Sequence, residues 1–116
     1  MTYVAQAGEL DPIRHPGADS LPLHTEEKTP VKGCYTMLNR FYESEYPKNF
    51  GVHEDNEGFY VVSGKGYYWL EGREWEIGPG SAMLAPAGQR HGLKKSGDAD
   101  LTVFIYHFPS AKGDHQ

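Results

Sequence analysis

The sequence predicts a single all-β domain. Short apolar and aromatic runs recur at close intervals, glycines and prolines punctuate the junctions between them, and no window of a dozen residues sustains a helical period. A chain of 116 residues suits one domain with one core. Its 13% aromatic residues, among them eight tyrosines and two tryptophans, supply large side chains for that core or for a lined cavity, although the apolar fraction is a modest 38%.

Residues 1–30 contain Pro12, Pro16, Gly17, Asp19, Pro22 and Pro30. So many turn formers predict an extended N-terminal arm with short strands. From Val31 to Tyr42, VKGCYTMLNRFY mixes β-branched, aromatic and polar residues in rough alternation, the pattern of a strand in a half-buried sheet. Further strands are expected at GFYVVSG from Gly58, GYYWLEG from Gly66, REWEI from Arg73, SAMLAP from Ser81 and LTVFIYHFP from Leu101. Glu71-Gly72 lies between two of these runs, where a tight hairpin turn needs a residue that accepts positive φ. Evenly spaced short strands point to a β-sandwich or barrel. The barrel is expected over residues 31–110, and the AKGDHQ end, residues 111–116, as a flexible tail.

The formal charge of -5 argues against nucleic acid or an anionic membrane as partner, because a polyanionic surface rewards clustered lysine and arginine. The one compact basic cluster, Arg90 to Lys95, reads as a solvated loop. Cys34 is the only cysteine, so no intrachain disulfide can form and a reducing compartment is expected. The N-terminal MTYVAQAGELDP has no basic n-region or apolar h-region, and no run approaches a membrane span. These features together predict a cytoplasmic protein.

Two clusters carry chemistry. His53 is followed after three residues by Glu57 and after six more by Gly64, with the run Phe59, Tyr60, Val61, Val62 between. Downstream, GSAMLAPAGQRHG gives Gly80, five residues, Pro86-Ala87-Gly88, two residues and His91. Together these resemble the paired motifs of the cupin family. The first cupin motif has two histidines one residue apart, then a glutamate and a glycine; the second is Gly, five residues, Pro-x-Gly, two residues, His. The second matches from Gly80 to His91, and the first at His53, Glu57 and Gly64. Gly51 stands where the family places its first histidine. Glu45 replaces the leading glycine, Ser81 a common aspartate and Lys95 a common asparagine.

The resemblance implies a jelly-roll barrel, a double-stranded β-helix, with a divalent metal inside. His53, Glu57 and His91 are the candidate ligands, a 2-His-1-carboxylate set that leaves coordination positions open. Fe, Mn, Ni, Co and Zn all suit mixed nitrogen and oxygen ligation. The competing reading is a metal-free barrel in which these histidines only make hydrogen bonds, but a buried Glu57 is costly without a cation or another partner. Asp55 or Asn56 offers a replacement oxygen, although both types more often serve turns.

His107, in LTVFIYHF, is a candidate third imidazole or general base, although a single histidine near a strand end more commonly packs or faces solvent. Tyr60 is a second candidate acid-base group, and Arg40, Tyr35, Tyr67 and Tyr68 are candidates for orienting a substrate, about half of which strand parity can turn inward. Cys34 is assigned no role, and His15 and His24 have no spacing that joins them to the site. The expected function is a metal-dependent enzyme acting on a small chelating substrate, as oxygenase, isomerase, lyase or cyclase. The alternative is a non-catalytic module that binds a sugar or an aromatic acid in a degenerate site. Unprotected sheet edges, or exchange of the N-terminal arm, make a homodimer the expected state under either reading.

Overall fold

The computed structural model describes residues 3–109; the expected tail lies outside them. Among the described residues nine strands form: β1 (Ile13–His15), β2 (Ala18–His24), β3 (Tyr35–Phe41), β4 (Asn56–Ser63), β5 (Lys65–Leu70), β6 (Arg73–Ile77), β7 (Ala82–Ala85), β8 (His91–Ser96) and β9 (Leu101–Phe108). All pairings are antiparallel. Six strands make one sheet, in the order β1-β2-β3-β9-β4-β7, and three make the other, β6-β5-β8. A short 3-10 turn at Ala7–Glu9 is the only helical element among the described residues, and no described helix is long and apolar enough to cross a membrane.

Alternation of side chains sets the layers. On β9, Leu101, Val103 and Ile105 are buried, whereas Tyr106 is exposed on the opposite face. Phe59 and Val61 of β4 meet them from the neighbouring strand, and Tyr68, Leu70, Ile77 and Leu93 close the core from the second sheet. Each such side chain, fully buried, is worth about 1.5–3 kcal/mol. Phe59, Val61, Leu101 and Val103 therefore hold the two sheets together in the middle of the larger one.

The expected hairpin is present. Glu71 has φ 44° and Gly72 φ 90°, so both turn residues take the left-handed conformation that a two-residue loop between β5 and β6 requires. Gly64 has φ 86°, and a Cβ there would fall 2.2 Å from the carbonyl oxygen of Asp100, so the glycine that closes the first motif is required by the chain passing beside it.

Two sequence expectations are altered. Residues 90–95 are not a solvated loop, because His91–Ser96 is strand β8 with His91, Gly92 and Leu93 buried. The cationic heads stay at the surface: Lys94 Nζ lies 4.5 Å from the Tyr46 ring centre and Arg90 pairs with Glu71 at 3.2 Å. Within residues 1–30, β1 pairs with β2, and β2 pairs along β3 as the second strand of the large sheet.

Candidate metal centre

The site forms where three segments meet. Glu57 stands at the start of β4, flanked by Ala85 on β7 and by His107 on β9 in direct antiparallel register. Directly opposed residues share a face, so Glu57 and His107 both point inward. His91 opens β8 and forms a bridge with Gly51, each N–H donating to the other's carbonyl oxygen at 2.9 and 3.0 Å. The Gly88 N–H donates to the His53 carbonyl oxygen at 2.8 Å, and the Ala87 N–H to Asn56 Oδ1 at 2.9 Å. Backbone bonds thus tie the second motif to the first, which is why residues about 40 positions apart arrive at one place.

Glu57 is the hub. It is 6% exposed, as is His91. His91 Nε2 lies 2.9 Å and His53 Nε2 3.2 Å from Glu57 Oε1, and His107 Nε2 lies 3.4 Å from Oε2. One ligand atom from each of His53, Glu57 and His91 lies within 4.8 Å of the others, so these residues can hold a metal ion. Both nitrogens stand within ion-pair distance of Oε1, yet that buried oxygen has no hydrogen-bond partner among the described residues. A second observation fits a cation. His91 Nδ1 faces the Gln89 carbonyl oxygen at 3.1 Å, and a carbonyl can only accept. The Nδ1 position therefore carries the hydrogen, and neutral His91 turns the lone pair of Nε2 toward Oε1. A carboxylate oxygen and an imidazole lone pair directed at each other repel unless a proton or a metal ion lies between them.

The electrostatics agree. Burial pushes the Glu57 carboxyl up, but the His107 and His91 imidazoles outweigh it and bring it down to about 2. His91 is pushed down by burial and raised on balance by Glu57 and the Gln89 carbonyl. His107 is raised by Glu57 and, against burial, by Asp55 as well. Without a metal the cluster holds protons on these imidazoles, which a metal ion would displace.

Gly51, at the position of the family's first histidine, does face the site. A Cβ there would lie 3.3 Å from His91 Nε2 and 3.7 Å from His53 Nε2. Two cavities border Glu57. One, of about 540 Å³, is lined by Gly51, His91, Phe59, Phe41, Asn39 and Ile105 among others, with Glu43 and Glu45 also on its wall. The other, wider groove is lined by His53, Asp55, His107 and Tyr35.

Other expectations fare unevenly. Tyr60 does not reach the site; it is 48% exposed, because three residues along a strand from inward Glu57 is the outward face. Arg40 is committed to Asp19 and Asp100 at 3.1 and 3.6 Å. Tyr68 points inward, but its hydroxyl donates to the Leu84 carbonyl at 2.7 Å. Tyr35 packs 5.0 Å from the His107 ring. Tyr67 lies beside Lys94, and Cys34 is a half-buried free thiol ahead of β3. His24 bonds Thr36 at 2.8 Å, whereas His15, which no spacing connects to the site, lies on the wall of the wider groove. Asp55 is the residue whose part the sequence did not reveal: its carboxylate oxygens both lie 3.2 Å from His107 Nδ1. Its nearness to His53 was the available signal.

The cupin domain family matches residues 44–107, more than half of the chain, and the chain belongs to that family. No curated protein has a significantly similar sequence. Among solved structures, a predicted oxalate decarboxylase from Thermotoga maritima superposes with a TM-score of 0.80 at 17% identity, covering 91% of this chain and 98% of that one. KdgF from Halomonas sp. gives 0.73 at 21% identity, covering 89% and 90%. The polyketide cyclase RemF from Streptomyces resistomycificus gives 0.76 at 19%, covering 92% and 79%. At these identities the likeness is one of fold.

Proposed function

We propose that the protein is a metal-dependent small-molecule cupin whose centre is built on His53, Glu57 and His91 and whose substrate chelates the metal. The observation that carries the reading is the buried Glu57 Oε1, with two imidazole nitrogens at 2.9 and 3.2 Å and no hydrogen bond. A bound divalent ion would supply Lewis acidity, or oxygen activation if it is redox-active. The chain's own residues orient the reactant. Gly51, with no side chain beside the two imidazole nitrogens, lies on the wall of the 540 Å³ cavity. Among the described residues no lysine or arginine lines that cavity, so metal chelation rather than an ion pair is the natural anchor for a small ligand. Asn39 Oδ1, buried without a hydrogen-bond partner on the wall shared by both cavities, is available to a hydroxyl or amine of that ligand.

The structures named above include a predicted oxalate decarboxylase and a polyketide cyclase, and an enzymatic role of that general kind, oxygenase, isomerase, lyase or cyclase, is the reading we favour. The test is metal content of the purified protein beside His53→Ala and His91→Ala, followed by screening of chelating substrates for turnover and oxygen uptake. Stoichiometric metal lost in both variants supports the centre; equal sub-stoichiometric metal in all three proteins refutes it. Small-molecule binding that persists after metal removal, without turnover, would favour a binding module.

A homodimer is proposed with it. The outer face of the large sheet exposes Tyr60, Val62, Leu84, Tyr106 and Phe108, an apolar surface that a second copy would cover; sedimentation velocity tests this. A cytoplasmic location rests on the single free thiol.

A further inference from the structure

The 540 Å³ cavity beside Gly51 is lined by charge of one sign. Glu43, Glu45 and Glu57 lie on its wall, and among the described residues no lysine or arginine does. Within that set neither Glu43 nor Glu45 has an ion pair or a side-chain hydrogen bond. The remaining polar side chains offer an acceptor or donors already in use: Asn39 Oδ1 is buried without a partner, the Tyr46 hydroxyl donates to Glu74 at 2.6 Å, and His91 Nδ1 faces the Gln89 carbonyl at 3.1 Å. Phe41, Phe59, Leu93 and Ile105 supply apolar wall. Glu45 and Gly51, two positions at which the sequence departs from the family's motifs, both line this cavity.

The segment that carries the two outer carboxylates is pinned. Phe50 stacks on Trp69 at 3.9 Å, and Gly92 is its seat, since a Cβ there would fall 2.6 Å from the Phe50 ring. The Lys95 N–H donates to the Glu43 carbonyl oxygen at 3.1 Å, and the Gly51 N–H to that of His91 at 2.9 Å. The stem of Glu43 lies on Gly17, where a Cβ would come within 2.9 Å of its Cγ. Carboxylates on a fixed backbone at a cavity wall attract a cation and repel an anion before either makes contact. We infer that the cavity selects a small organic cation: a protonated amine on an apolar body, whose oxygen chelating end takes the metal while its ammonium is held by Glu43 and Glu45. The inference rests on the metal-centre reading above and names its substrate class. An anionic group away from the metal would meet two carboxylates and no cationic side chain.

The test uses the full chain loaded with Co(II) and three catechols that chelate alike and differ in the charge of one side chain: dopamine (ammonium), 4-ethylcatechol (neutral) and 3,4-dihydroxyphenylacetate (carboxylate). Affinities are read through the visible absorption of Co(II) for wild type, Glu43→Gln, Glu45→Gln and the double variant, each checked for fold by circular dichroism. The charge of the metal acts alike in every protein, so the deciding quantity is the ratio of dopamine to 3,4-dihydroxyphenylacetate affinity, compared between wild type and variants. Loss of both carboxylates is expected to lower that ratio at least about 10-fold at low ionic strength and by less in high salt, because the attraction is screened. An equal ratio in wild type and double variant overturns the inference, while catechols bound to the Co(II) protein leave the metal centre standing. Equal weakening of all three catechols in the variants also overturns it, since it marks Glu43 and Glu45 as structural. If the wild type takes up no Co(II), or no catechol alters its Co(II) spectrum, the chelating metal centre fails and this inference with it.

Discussion

Replacing Glu57 by glutamine keeps the shape of the hub and removes its charge. In the metal-free protein the carboxyl is held at about 2 rather than its ordinary 4.5. At about 1.4 kcal/mol for each tenfold change in acidity, a difference of about 2.5 favours the ionised form by about 3 kcal/mol. That is an upper bound on what the variant loses, because the same contacts hold protons on His91 and His107 and must be counted once. The glutamine NH₂ can also donate to one imidazole Nε2 and recover about 1 kcal/mol. A loss of about 2 kcal/mol at neutral pH is therefore expected. The sign is fixed by linkage: a carboxyl with a lowered folded value contributes fully above 4.5, and the contribution disappears as pH falls through about 2. The gap between wild type and Glu57→Gln, measured by urea unfolding in the presence of a chelator, should be widest near neutrality and close toward pH 2. Equal stability at neutral pH, or a gap that widens on acidification, would show that Glu57 is not an ionised hub.

His53→Ala and His91→Ala should both reduce Zn(II) affinity by more than about 100-fold in a competition titration, beyond the 10–100-fold typical of outer-shell changes. Only His91→Ala should also destabilise the metal-free protein, by about 2 kcal/mol in urea unfolding, since the His53 side chain is 43% exposed and that of His91 only 7%. Gly51→Ala should weaken Zn(II) binding, because a Cβ at 51 would lie 3.3 Å from His91 Nε2, tighter than ordinary van der Waals contact, and would push that ring aside; unchanged affinity by calorimetry would mean that the His91 ring yields without cost. Metal affinity should fall as pH is lowered through the raised titrations of His91 and His107. A raised histidine stabilises the metal-free fold below 6.5 and loses that effect as pH rises through its folded value. Melting curves with and without metal should consequently diverge as pH rises past 6.5, and parallel curves would refute the coupling. Tyr60→Ala, on the outer face, should leave metal affinity unchanged in the same titration.

Elements with a strong period of two were readable in advance: β9, with Leu101, Val103 and Ile105 buried on one side, is the clearest. Strand β8 was not, because lysines at positions 94 and 95 mask a pattern in which only His91, Gly92 and Leu93 are buried, and long stems can lie on aromatic rings while their charges stay wet. That His53, Glu57 and His91 come together was legible because the chain fixes it locally: a short run from His53 to the start of β4, and a turn that delivers His91 to β8. Tyr60 failed on parity that three-residue spacing from Glu57 already contained.

The place of His107 depends on something no local pattern encodes. It lies 50 positions from Glu57, and the two meet only because β4 and β9 pair in a register that puts Glu57 opposite His107. A slip of one residue would put Tyr106 or Phe108 there, with every inward side chain of β9 turned outward. That slip is resisted by burial: Phe59 opposite Ile105 and Val61 opposite Val103 are core pairs in the same register. The apolar packing of the middle of β4 and β9 thus determines which imidazole stands beside the carboxylate at their end. A core substitution such as Val103→Ala, far from the candidate ligands, should therefore weaken Co(II) binding by disturbing the register that places Glu57 at the end of β4 opposite His107. A variant that loses stability in urea yet keeps full Co(II) affinity and an unchanged Co(II) spectrum would show that the centre is held by its backbone bridges alone.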